Sequence, residues 1–409
     1  MVVIGTRSLV ILRAARPSPF RQRTLIHSSA AACSCLNTCA ISEQGPRRVL
    51  AVSDLHVDHP ENFKWTNKLA ATDHRHDVLI VAGDISHNQE KLSQTLQGLT
   101  KAFWKVFFVV GNHELWTRAK DDSMVGAEHS PQKMQLIHSL CADLGVLTKP
   151  TRLGPVLICP LISWHHQSFD REPDIPGVPR PSPLFVSDYR ACTWPEGFPG
   201  IGTEELAQWF DAQNEPAEQI LDMSHDADVI SFSHFLPLQA LLPEKRNLFY
   251  SGLAKAVGSD FLARRIAELQ PSIHLFGHTH FGWDATLDGI RYIQAPLCTP
   301  RERLGRLGSI ILHHADIPPS RMTRTDGAGH AIPDTDPLAA DWLPVTIWRS
   351  KQDMSSYPPG GDWQALKHGC MCPPLHARWS DYFQTEPRRP DDLTLAPWVK
   401  GVRRQPPAT

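Results

Sequence analysis

The sequence predicts an α/β domain whose sheets are covered by helices on both faces. Three observations carry this. Apolar runs of four to seven residues, rich in valine and isoleucine, recur from Arg47 to about Asp316; their length and β-branching mark them as strands. Segments with helical starts lie between them, and alternation of strand and helix is the pattern of layered α/β domains. Each apolar run passes at once into a polar cluster, so the clusters should share the sheet edge at which such domains bind ligands.

In chain order the strands are read in "RVLAVSDLH", "DVLIVAGD", "KVFFVVGNHE", "PVLICPLISWHH", "DADVISFSH" and "IHLFGHTH". Helices are expected over 61–71, 88–101, 131–144, 203–213 and 259–269. Thr203 followed by Glu204 and Glu205, and the pair Ser259-Asp260, look like helix starts. "TLDGIRYIQAP" has a central Asp-Gly and reads as a hairpin; "GSIILHHAD" reads as a further strand. Two regions break the rhythm. Residues 166–200 form a proline-rich insertion, expected to be an ordered lid because it carries Phe169, Phe185, Tyr189 and Trp194. Residues 318–409 read as an irregular proline-rich extension, pinned to the core through Trp363, Trp379 and Trp398. The domain proper is set at 47–317.

Composition narrows the function. With 41% hydrophobic and 21% charged residues among 409, the chain can bury a core. A net charge of −2 and a pI near 6.9 disfavour a nucleic-acid partner. No segment reaches about 18 consecutive apolar residues, so no membrane span is expected. Residues 1–42 hold Arg7, Arg13, Arg16, Arg21 and Arg23 but no acid before Glu43. An Arg- and Ser-rich, acid-free start is the signature of an organellar transit peptide, here placed in the plastid ahead of the mitochondrion. The nine cysteines are scattered and suggest no disulfide framework. Cys370 and Cys372, near His368 and His376, fit no standard zinc spacing.

The chemistry lies in the polar clusters. They contain Asp54 and His56, then Asp84, then Asn112 and His113, then His234, then His278 and His280. Taken singly, each has an ordinary explanation: a turn at "SDLH", a helix cap at Asp84 or Asn112, a satisfied core histidine at His234. Five strand ends carrying carboxylate, amide oxygen or imidazole in one chain are a ligand set for hard and borderline divalent metals. Thiolate is absent, which argues against a structural zinc knot.

"DLH", "GD", "GNHE", a later "SH" and "GHTH" stand in the order and spacing of the calcineurin-like metallophosphoesterases, and from Val49 to about Pro296 the chain resembles that family. The resemblance implies a four-layered α/β/β/α sandwich with two metal ions at the sheet edge. It implies Asp54, His56, Asp84 and His280 as ligands of one ion, and Asp84, Asn112, His234 and His278 as ligands of the other, with Asp84 as the bridge. It implies His113 as the group that protonates the leaving oxygen or steadies the phosphate, beside Asn112. Manganese, iron and zinc all suit such ligands. The expected activity is hydrolysis of a phosphomonoester or phosphodiester of a small molecule or nucleotide. The chain departs from the serine/threonine protein phosphatases after Gly83-Asp84, where it reads "ISHNQE" and lacks their phosphate-holding arginine. It also lacks an evident basic capping domain, against a nuclease. Protein phosphatase and nuclease stay as alternatives, as does a non-catalytic metal-binding scaffold; the complete ligand set argues against the last. Arg301, near Arg291 and Arg303, is a candidate phosphate contact. Asp58, His165 and His166 are candidates to orient ligands from behind, and Trp116 and Trp164 to line the pocket.

Overall fold

Buried parallel strands read as continuous apolar runs because both faces are covered, and β1 (Arg48–Val52) and its neighbours follow that rule. The computed structural model describes residues 45–117, 127–178, 186–305, 322–325, 331–333, 344–350, 379–397 and 399. The segment 1–42, the "GSIILHHAD" strand, Cys370, Cys372, Trp363 and Trp398 lie outside the described residues. After β1 come α1 (Pro60–Ala70), β2 (His74–Val81), α2 (Gln89–Ala102), β3 (Phe103–Phe108) and α3 (Ser130–Leu144). Asn88 caps α2 by accepting the Lys91 N–H at 3.0 Å. Next are β4 (Thr151–Leu153), β5 (Val156–Pro160), the short α4 (Asp188–Ala191), α5 (Glu204–Asp211), α6 (Ala217–Met223) and β6 (Asp228–Phe232). Thr203 caps α5 through the Leu206 N–H. Then follow α7 (Asp260–Leu269), β7 (Ile273–Phe276), the hairpin of β8 (Trp283–Leu287) and β9 (Ile290–Gln294), and α8 (Pro300–Gly305). The hairpin turns on Asp288 and Gly289, both at positive φ, as an Asp-Gly type I′ turn requires.

Farther on are β10 (Met322–Thr325), β11 (Ala331–Pro333), β12 (Val345–Arg349) and α9 (Trp379–Thr385). Here the structure differs from the expectation of an irregular extension. β12 pairs antiparallel with β1 and completes the first sheet, ordered β12-β1-β2-β3. "VTIWR" alternates β-formers but stands alone, with no turn signal or helix to announce a sheet partner. Trp379 is buried against Phe281, and the Arg389 N–H reaches the Glu244 carboxylate at 2.7 Å, so this segment is anchored on the second half of the domain.

The second sheet runs β4-β5-β6-β7-β9-β8, parallel from β5 through β9. All five residues of β5 are buried, yet they serve different cores. Val156 and Ile158 join the core shared with the first sheet, whereas Leu157 and Cys159 join a second core with Leu262, Ile266 and Leu269 of α7. Successive side chains of a strand point to opposite faces, so this split marks a sheet packed on both sides. The result is the α/β/β/α sandwich. The two sheets are stitched at one edge: the Ser53 N–H donates to Ala295 O at 2.9 Å and the Leu297 N–H to Ser53 O at 2.8 Å. That stitch lies one residue before Asp54 and brings the ends of β1 and β9 together. Among the described residues no helix is long and apolar enough to cross a membrane.

Candidate metal centre

Asp54, His56, Asp84, His278 and His280 all adopt positive φ, between 41° and 76°. For residues other than glycine this backbone costs of order 1–3 kcal/mol each, and such strain clusters at functional sites. It turns each side chain sharply off its strand toward a common centre. The glycines beside them are explained by crowding. A Cβ on Gly83 would lie 2.4 Å from His234 Nδ1, and one on Gly111 would lie 2.1 Å from Asp84 Oδ1. The Gly-Asp and Gly-Asn pairs therefore reflect ligand side chains lying over bare backbone.

The centre has two groups of donors that share Asp84, and a third group, His280, Cys298 and Glu302, adjoins the first. Asp54, His56, Asp84 and His280 bring ligand atoms within 4.8 Å of one another, as do Asp84, His234 and His278. Asp84 belongs to both. Its Oδ2 lies 3.9 Å from His56 Nε2, 3.4 Å from His234 Nε2 and 3.8 Å from His113 Nε2. Asn112 joins the second group: its Oδ1 stands 2.9 Å from His234 Nε2 and 3.0 Å from His278 Nδ1. Asn112 opens a short 3₁₀ turn without capping it, so its side chain is left for the centre. In the first group, His280 Nε2 lies 2.8 Å from His56 Nε2 and 3.5 Å from Asp54 Oδ1.

The rings fit a metal site because their second nitrogens are tied. His234 Nδ1 is 3.0 Å from Ala82 O, His278 Nε2 is 2.9 Å from Ala256 O, and His280 Nδ1 is 2.9 Å from Glu302 Oε2. Each ring spends its one N–H on a fixed acceptor and turns the other nitrogen to the centre, the arrangement of ligating histidines. Burial reinforces this. It holds His56 down to about 3 and His278 to about 4, and takes His113 and His234 well below the ordinary imidazole range. Neutral imidazole is the ligating form. Burial also pushes Asp54 and Asp84 above the usual carboxylate range, Asp84 further because Glu114 and Asp54 are close. Nearby positive charge would return both to their ionised form.

His113 is partly exposed beside this centre. Its backbone N–H donates to Asp84 Oδ1 at 3.1 Å, and its ring stacks on Trp116 with centroids 3.7 Å apart. Asp58 faces an imidazole, but that of His87, at 3.4 Å, and it accepts from Ser86 Oγ at 2.7 Å. His166 serves another place: its Nε2 accepts the Asp260 N–H at 3.0 Å, at the start of α7. Trp164 is wholly buried in the core. Arg301 is exposed; the residue after it, Glu302, is the one that reaches the site.

Three carboxylates escaped the sequence reading. Glu114, the last residue of "GNHE", accepts four backbone N–H groups: Gly111 at 2.7 Å, Ile85 at 2.7 Å, Asp84 at 2.9 Å and Ser86 at 3.0 Å. It thus fastens the loop after β2 to the loop after β3. Glu302 is fixed by a capping box with Thr299, the Thr299 N–H donating to Oε2 at 3.0 Å and the Glu302 N–H to Thr299 Oγ1 at 3.3 Å. "TPRER" carries that signal. Asp188, inside the proline-rich insertion, accepts from Asn112 Nδ2 at 2.8 Å. Nothing local in the sequence announces it.

The sequence profile of the calcineurin-like phosphoesterases matches residues 47–282, more than half of the chain. The chain belongs to this family. It is a phosphoester hydrolase. Among curated proteins it is similar to the acyl-carrier-protein phosphodiesterase PptH of Mycobacterium tuberculosis, 26% identical over 267 residues that cover 62% of this chain and 78% of the relative. Among solved structures it is similar to the phosphopantetheinyl hydrolase PptH of the same organism, with 23% identity, a TM-score of 0.48, and coverage of 64% of this chain and 92% of that one. It is also similar to a putative 5′-nucleotidase from Staphylococcus aureus, with 13% identity, a TM-score of 0.31, and coverage of 75% and 56%. The phosphoesterase thus has Asp and His groups that could hold metal ions at the edge where its two sheets meet.

Proposed function

We propose that this phosphoesterase is a dinuclear metal-dependent phosphodiesterase acting on a small-molecule phosphodiester, including one whose other half is a carrier protein. The observation that carries the metal reading is Asp84, which belongs to both donor groups. Asp54, His56, Asp84 and His280 would hold one ion, and Asp84, Asn112, His234 and His278 the other. Manganese, iron and zinc all match a set of imidazole and carboxylate without thiolate. Bound there, two divalent cations supply positive charge to the phosphate oxygens and lower the pKa of a water.

The protein's own groups do the rest. Glu114 keeps the two ligand loops in register. The tied ring nitrogens of His234, His278 and His280 keep three imidazoles aimed at the centre. His113 stands at the open side, within 3.8 Å of Asp84 Oδ2; the negative charge of a bound phosphate would raise its lowered pKa and let the ring donate a proton to the departing oxygen. The face of Trp116 sets the plane of that ring. The diester preference rests on the similarity to the acyl-carrier-protein phosphodiesterase.

The test is a substrate panel on protein reconstituted with Mn²⁺: p-nitrophenyl phosphate, bis(p-nitrophenyl) phosphate, a pyrophosphate, a phosphopeptide and a phosphopantetheinylated acyl carrier protein. The expected result is turnover of the synthetic diester and release of the phosphopantetheine from the carrier. Turnover of monoesters alone would overturn the diester assignment, and turnover of none would overturn the enzymatic reading of the site.

A further inference from the structure

We infer that Asp188, carried in by the proline-rich insertion, is the positioning residue for the Asn112 side of the centre and, through Trp116, for His113. The inference rests on the reading of Asn112 as a metal ligand.

The side chain of Asp188 is wholly buried. One of its oxygens, Oδ1, accepts two hydrogen bonds, from Asn112 Nδ2 at 2.8 Å and from Trp116 Nε1 at 2.7 Å. The other, Oδ2, faces the buried ring of His165, 3.7 Å from its Nε2.

Oδ1 of Asp188 takes the Trp116 indole N–H, which can only donate, so this oxygen is an acceptor; an amide has one donating and one accepting end. Asp188 therefore selects the amide orientation. With Nδ2 turned to Asp188, Oδ1 of Asn112 is delivered to His234 Nε2 and His278 Nδ1. The flipped amide would set an oxygen against the carboxylate and turn an NH₂ group to the metal side, where it cannot ligate. The second hydrogen bond acts on the other partner. Trp116 stacks on His113 at 3.7 Å between centroids and 29° between planes, so the indole that sets the His113 ring is pinned by the oxygen that sets Asn112.

Anchoring the insertion does not explain this carboxylate. Phe169, Ile175 and Cys192 are buried from the same segment, the Thr117 N–H donates to Ala191 O at 2.8 Å, and Thr117 Oγ1 donates to Thr193 Oγ1 at 2.8 Å. An apolar side chain would hold the helix without the cost of burying a polar group. What an apolar side chain cannot do is orient an amide.

The experiment is calorimetric titration of metal-stripped protein with Mn²⁺ for wild type, Asp188→Ala, Asp188→Asn and Tyr189→Phe, with thermal unfolding of each. Wild type should bind two Mn²⁺. Asp188→Ala should bind one as wild type does and the second at least about 10-fold more weakly, the usual effect of losing a partner behind a ligand. Asp188→Asn keeps an acceptor oxygen and should retain the second ion. Tyr189→Phe removes only the neighbouring hydroxyl that accepts from Gln167 at 3.0 Å and should match wild type. The pin on Trp116 adds a second readout. In Asp188→Ala, hydrolysis should fall more for an alkyl leaving group, which needs a proton, than for p-nitrophenolate. Should the alanine variant not fold, Asp188→Ser gives the same comparison with a shorter side chain. Two Mn²⁺ at wild-type affinities in Asp188→Ala, or loss of the second ion in Tyr189→Phe as well, would overturn this inference alone. Fewer than two Mn²⁺ in wild type would overturn the metal reading and the inference with it.

Discussion

On one side of Asp84 stand Asp54, His56 and His280; on the other stand Asn112, His234 and His278. The first side leans on side chains as well as on the His278 backbone N–H, which Asp54 Oδ1 accepts at 2.9 Å. Ser53 Oγ donates to Asp54 Oδ2 at 2.5 Å, and Glu302 holds His280. The imidazoles of the second side lean on backbone carbonyls, those of Ala82 and Ala256. There Asn112 depends on a side chain, Asp188. The difference teaches where each half is vulnerable. A carbonyl prop survives any substitution that preserves the backbone, whereas a carboxylate prop is lost with one residue. The first half is exposed to change at Glu302, and the second at Asp188.

The largest effect should come from the residue that both halves share. Asp84→Asn removes a charged donor from each group and should lower hydrolysis of bis(p-nitrophenyl) phosphate by more than about 10²-fold, because partners one step behind a ligand are already worth about 10–100-fold. The melting temperature should stay close to that of wild type. Activity within about 10-fold of wild type would mean that Asp84 does not join the two halves.

A smaller and one-sided effect is expected at Glu302. Glu302→Gln keeps an acceptor for the Thr299 N–H but gives up the charge that holds the His280 ring. Mn²⁺ titration should show about 10-fold weaker binding at one site and no change at the other. Equal weakening of both sites would contradict the division into halves.

These props also mark the limit of what the sequence discloses. Asp54, His56, Asp84, Asn112, His113, His234, His278 and His280 are legible because each follows an apolar run, and parallel strands place such positions along one edge. Glu302 has a local signal, the Thr299-x-x-Glu302 capping box, but it stands beside Arg301, which draws attention as a phosphate contact. Asp188 has none. Its partner Asn112 is 76 residues earlier, and the pairing exists only once the insertion has folded against the loop after β3. The fold shows the same contrast. The parallel strands and their helices follow from local pattern, whereas β12 is defined by its pairing with β1, nearly 300 residues away in sequence.

The most direct test of a centre divided at Asp84 is anomalous X-ray diffraction from crystals of the Mn²⁺-loaded enzyme. Two manganese peaks are expected, one among Asp54, His56, Asp84 and His280 and the other among Asp84, Asn112, His234 and His278. A single peak, or a pair that leaves either group without an ion, would contradict it.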